Sequence, residues 1–160
     1  SLLTAIFLHS GMVHLLYNLF ALALFGSILE HIIGSRKFLI LFFVSGLAAS
    51  FASLPFYTMV LGASGAIFGI LGMLGILRPK LVVWLYSIPM PMIIALLVWA
   101  IGDILGIYAP SGTANIAHLG GLGVGLIAGI YYRKQFREKR NKREGVHIDE
   151  GKVKEWENTF

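Results

Sequence analysis

Residues 38–77 read FLILFFVSGLAASFASLPFYTMVLGASGAIFGILGMLGIL, forty residues without one Asp, Glu, Lys or Arg. A helix crosses the hydrocarbon core of a bilayer with about 20 apolar residues. The run is too long for one crossing, and Pro55 and Gly62 interrupt its middle. It therefore divides into two helices, residues 38–54 and 64–77, joined by a turn. The second is short for a full bilayer and is expected to start inside the protein, below the outer surface.

Working outward, charges bracket the run. Arg36 and Lys37 precede it, and Arg78 and Lys80 follow. Three more apolar stretches lie beyond them, residues 11–33, 91–108 and 114–132. The reading is an all-α polytopic membrane bundle with five transmembrane helices over residues 1–132. A basic tail, residues 133–160, follows it.

Composition agrees. The 160 residues are 57% hydrophobic and only 13% charged, and mean hydropathy is +0.79. A soluble domain carries about 25% charged residues. The chain lacks the polar atoms to cover a soluble surface. That excludes an ordinary cytosolic enzyme, a disordered segment and a nucleic-acid-binding domain, despite the formal net charge of +5. With no Cys, disulfides, thiolate metal sites and Cys nucleophiles are excluded.

Orientation follows from the basic residues. Arg36 and Lys37, Arg78 and Lys80, and the nine in the tail alternate with charge-free loops at 55–63 and 109–113. Five passes put all 13 basic residues on one side, the cytoplasmic one by the positive-inside rule. The C-terminus is then cytoplasmic, and a prokaryotic plasma membrane is the expected location. The run Arg133, Lys134, Arg137, Lys139, Arg140, Lys142 and Arg143 suits anionic lipid, or serves as a solvated helix.

Polar residues inside apolar segments are costly and are functional candidates. Here they are His9, His14, Asn18, Ser64, Asp103, Asn115 and His118. His14 and Asn18 are four residues apart and share one helix face. The helices at 11–33, 64–77 and 114–132 run in parallel. At 1.5 Å per residue, Ser64 lies about 21 Å, His118 about 22 Å and Asn18 about 24 Å from the inner boundary. His14 is one turn further out. Four polar groups from three helices thus reach a similar depth.

Glycine brings the helices together. Gly121, Gly125 and Gly129 form a small-residue stripe, and Gly65, Gly69, Gly72 and Gly75 supply a smooth partner face. With Gly121 and Gly125 against the helix of Gly65 and Gly69, His118 comes near Ser64.

Ser64 alone reads as a helix N-cap, and His118 or Asn18 alone as interhelical glue. Together they can do more. A Ser hydroxyl becomes a nucleophile when a base takes its proton, and unprotonated His118 can do so. An oxyanion then needs donors. His14, Asn18 and the backbone N–H of Ser64 at a helix N-terminus are the candidates. Asp103 reads as structural or snorkelling, with no strong ground to bring it to His118, so a Ser–His dyad is the economical arrangement. His9, His14 and His118 could also supply three metal ligands, a lesser option beside Gly62-Ala63-Ser64-Gly65. No metal or cofactor is expected.

These residues resemble the rhomboid intramembrane serine proteases. His9-Ser10-Gly11-Met12-Val13-His14-Leu15-Leu16-Tyr17-Asn18 is similar to the family's H-x4-H-x3-N motif. Gly62-Ala63-Ser64-Gly65 is similar to its G-x-S-G motif, and Ala117-His118-Leu119-Gly120-Gly121 to its A-H-x-x-G motif. Gly26, Glu30 and Gly34 resemble a structural G-x3-E-x3-G stretch.

The resemblance implies a Ser64–His118 dyad that cuts transmembrane segments of other proteins. It implies His14 and Asn18 as oxyanion donors and Phe68 stacked on the base. It assigns the helix at 91–108 and the following loop to a lateral gate. It also implies a core of six helices, five of them present, with the first upstream of residue 1. The alternatives are a catalytically silent relative that binds membrane clients, which intact Ser64 and His118 disfavour, and a small channel or transporter. The second is disfavoured because no polar residue continues the path inward.

Overall fold

The computed structural model describes residues 2–58, 60–85, 87–109 and 114–144, with side chains to residue 135. The elements are α1 (Leu2–Ala5), α2 (Met12–Ile33), α3 (Ser35–Ser53), α4 (Ser64–Leu77), β1 (Val82–Leu85), β2 (Ile88–Pro91), α5 (Met92–Gly106) and α6 (Asn115–Glu144). Helices α2 and α3 are long and apolar enough to cross a membrane, while α4 and α5 are apolar but shorter.

The apolar runs of the sequence thus become helices close to where they were expected. Three features are new. First, α2 carries a π-helical turn at Leu22–Gly26, an i→i+5 irregularity often found near functional sites. Second, α6 does not stop at Tyr132 but continues to Glu144. Third, the connection after Arg78 is an antiparallel hairpin pairing Val82 with Pro91 and Leu85 with Ile88. The alternation of Val82, Val83, Trp84 and Leu85 explains it. Val83 and Leu85 are buried, while Val82 and Trp84 face outward, the period of two of a half-buried strand. Pro91, the last residue of β2, takes the N-cap position of α5 in an extended conformation, outside the helix's own hydrogen-bond ladder.

The central helix is α4. Ile70, Met73 and Leu74 are almost wholly buried, and α3, α6, α2 and α5 pack around it. Glycine sets the spacing. A Cβ on Gly121 would run into the carbonyl of Gly65, and one on Gly125 into the carbonyl of Gly69. From the other side α3 meets these two glycines with small residues. A Cβ on Gly65 would strike Ala49, and one on Gly69 would strike Ser45. Backbones can approach this closely only where side chains are absent. The periphery is the reverse. Met12, Tyr17, Phe20, Phe51, Ile101 and Ile127 are large, apolar and exposed, and so unsuited to water over such an area.

Candidate active site

Ser64 is the first residue of α4, and Ala63, not Ser64, occupies the N-cap position. The hydroxyl is therefore not spent on the helix end. Its Oγ lies 2.9 Å from His118 Nε2, within hydrogen-bond distance. His118 is the fourth residue of α6, one turn before Gly121, so the glycine contact that sets the α4–α6 distance also sets this one. Phe68, one turn after Ser64, lies flat against the imidazole, with ring centroids 4.3 Å apart and planes 8° apart.

The loop before Ser64 is anchored by Gly62, whose N–H donates to the Ala5 carbonyl at 2.9 Å. Its φ of 114° lies in the region that suits glycine. A Cβ there would stand 2.8 Å from His14 Cε1 and 3.0 Å from its Nε2. Gly62 thus brings α2 to the loop before Ser64. His14 Nδ1 lies 3.1 Å from Ser10 Oγ. If Ser10 donates there, Nε2 keeps its proton as a donor. Buried Asn18 gives one amide N–H to the His14 carbonyl at 2.8 Å, which leaves the second for another acceptor. The N–H groups of Ser64, Gly65 and Ala66 open α4 without intrahelical acceptors.

Ser10, His14, Asn18, Ser64, Phe68 and His118 line one cavity of about 1040 Å³. It extends along α2 to the hairpin, and Phe25 and Trp99 meet edge to face on its wall at 6.2 Å. His9 is not part of the lining. Its Nδ1 donates to the Phe7 carbonyl at 3.2 Å, and its ring stands edge-on to His14. Among the described residues no group of three potential ligands converges as a metal site would require.

Asp103 requires a correction. The sequence supplied no ground to bring it to His118, yet Asp103 Oδ1 accepts from His118 Nδ1 at 3.0 Å. The side chain is buried on α5, with Oδ2 unpartnered. Its interhelical aim depends on the rotation of α5 about its axis, which one helix's sequence does not disclose. The available signal was a single carboxylate in a fifteen-residue apolar helix.

A polar cluster of Ser, His and Asp inside an apolar helical bundle defines a class, the helical proteins that hold a polar site within an apolar core. Comparison with known proteins makes the class specific. Residues 1–135 match the rhomboid domain, and the chain belongs to the rhomboid family. It is 35% identical over 131 residues to RHOMBOID-like protein 4 of Arabidopsis thaliana, covering 81% of this chain and 33% of that protein. It is 37% identical to the rhomboid protease GluP of Bacillus subtilis, covering 79% of this chain and 25% of that one. To the rhomboid protease GlpG of Haemophilus influenzae it is 35% identical over 129 residues, 76% of this chain and 64% of that one. The chain thus spans between a quarter and two thirds of these relatives. Family membership and the two long apolar helices make it an integral membrane protein.

Proposed function

We propose that this protein is an intramembrane serine endopeptidase that cleaves transmembrane segments of other membrane proteins. The observation that carries the reading is the 2.9 Å contact from Ser64 Oγ to His118 Nε2 inside a cavity large enough for an extended peptide. The two relatives named as rhomboid proteases support it.

His118 takes the Ser64 proton at Nε2 as Oγ bonds to the scissile carbonyl carbon. The carbonyl π pair moves onto oxygen. His14, the free N–H of Asn18 and the Ser64 backbone N–H donate to that oxyanion. One such donor is worth about 10²- to 10³-fold in rate. The C–N bond then breaks, and His118 returns its proton to the leaving amine. Water attacks the acyl-enzyme by the same route in reverse and regenerates Ser64.

Five crossings with the C-terminus in the cytoplasm complete the reading. Lys37 Nζ sits 4.9 Å above the Tyr132 ring, and His31, Arg78 and Lys80 line one groove. Both contacts support a single basic end of the bundle. The basic run from Arg133 suits anionic lipid at that surface. The relatives come from bacteria and a plant, so the prokaryotic plasma membrane expected from sequence is narrower than the family.

The test is cleavage of a single-span substrate by the full-length protein in vesicles. The expected result is two fragments from a cut within the span and none with Ser64→Ala. An intact substrate with folded protein would overturn the reading.

A further inference from the structure

Asp103 is the only acidic side chain among the buried polar residues described. Its environment is an apolar helix packed in an apolar bundle, where a carboxylate is costly unless paired. One oxygen is paired, to His118 Nδ1, and the other has no partner. A mere tether between α5 and α6 needs no charge, since an amide or hydroxyl could make the same contact without burying an anion.

What an anion adds at Nδ1 is specific. A carboxylate only accepts, so Nδ1 must carry the ring proton and Nε2 must present its lone pair to the Ser64 hydroxyl. We infer that Asp103 is a positioning residue for the base, fixing the tautomer of His118 and stabilising the imidazolium that forms when Ser64 attacks. The inference rests on the protease reading and turns its dyad into a Ser64–His118–Asp103 triad. The Nδ1 proton stays on nitrogen throughout, and Asp103 takes none. The proton that moves is the one from Ser64, to Nε2 and then to the leaving amine.

The packing around the contact supports this. Gly106 lies three residues after Asp103, and a Cβ there would meet the Asn115 amide at 2.6 Å. Asn115 lies three residues before His118. The face of α5 bearing Asp103 and Gly106 therefore seats directly on the face of α6 bearing Asn115 and His118. His118 is held at three points, by Asp103 at Nδ1, Ser64 at Nε2 and Phe68 on the ring face.

The test measures how fast a fluorophosphonate probe labels Ser64 in the full-length protein in vesicles, separating probe half-saturation from maximal rate. The parent is compared with Asp103→Asn and Asp103→Ala. An Asn amide can donate to Nδ1 as well as accept from it; once it donates, the ring proton sits on Nε2, where it blocks acceptance from Ser64. The maximal rate should fall on the order of 10²- to 10⁴-fold in Asp103→Asn at unchanged half-saturation. Nitrogen-15 spectra, with the His118 signal identified by its loss in His118→Gln, should show the proton on Nδ1 in the parent and on Nε2 in Asp103→Asn. Labelling of Asp103→Asn at the parental rate overturns the inference and leaves the protease reading intact. So does a loss that only tracks lowered thermal stability with the tautomer unchanged. A folded parent that labels nowhere overturns both.

Discussion

Phe68 and His118 stack face to face, with planes 8° apart, so the proposed base is buttressed by the same helix that carries Ser64. Phe68→Leu keeps apolar volume but removes the flat face. An aromatic stack adds about 0.5–1.5 kcal/mol beyond burial. Turnover should fall by about tenfold or less, with the unfolding midpoint nearly unchanged. A full loss of activity with retained fold would mean the ring does more than hold the imidazole.

His14→Ala and Asn18→Ala should each lower kcat about 10²- to 10³-fold. The effect belongs to the transition state, so KM should hardly move. A change confined to KM would place these residues in substrate binding instead.

Gly62→Ala separates positioning from folding. The added methyl meets His14 at 2.8 Å in a backbone with φ of 114°. Strain of this kind costs about 1–3 kcal/mol, relieved most simply by pushing His14 away. Activity should drop about tenfold or more, while Ser64 still reacts with a small fluorophosphonate. Wild-type cleavage by Gly62→Ala would show that His14 need not sit where it does.

The glycine stripe can be tested by contrast. Gly125→Ala collides with the Gly69 backbone, whereas a methyl on Gly123 meets nothing within 4 Å. Gly125→Ala should lower stability by about 2 kcal/mol or more and Gly123→Ala by no more than about 0.5 kcal/mol, read from denaturant unfolding in detergent. Equal effects would mean that α4 and α6 do not meet along this line.

Much of this was legible in the sequence, for definable reasons. Charge-free runs bounded by Arg36, Lys37, Arg78 and Lys80 mark helices because lipid forbids charge. The approach of His118 to Ser64 follows once the glycine faces of the two helices are paired, and Gly121 and Gly125 point to the helix they touch. Asp103 was not legible, since its contact depends on how α5 is rotated. The hairpin at Val82–Pro91 falls between two apolar stretches, and four alternating residues are too short a signal to separate a strand from a plain connection. The π-helical turn at Leu22–Gly26 has no residue signature that separates it from the α-helix around it.

Activation of Ser64 by His118 is what the proposed function needs first. The most direct measurement maps a fluorophosphonate adduct by peptide mass spectrometry in the full-length, membrane-embedded protein, beside His118→Ala. An adduct should form on Ser64 and disappear in the variant. No adduct on Ser64 in a folded sample would contradict it and favour a silent relative that binds membrane clients.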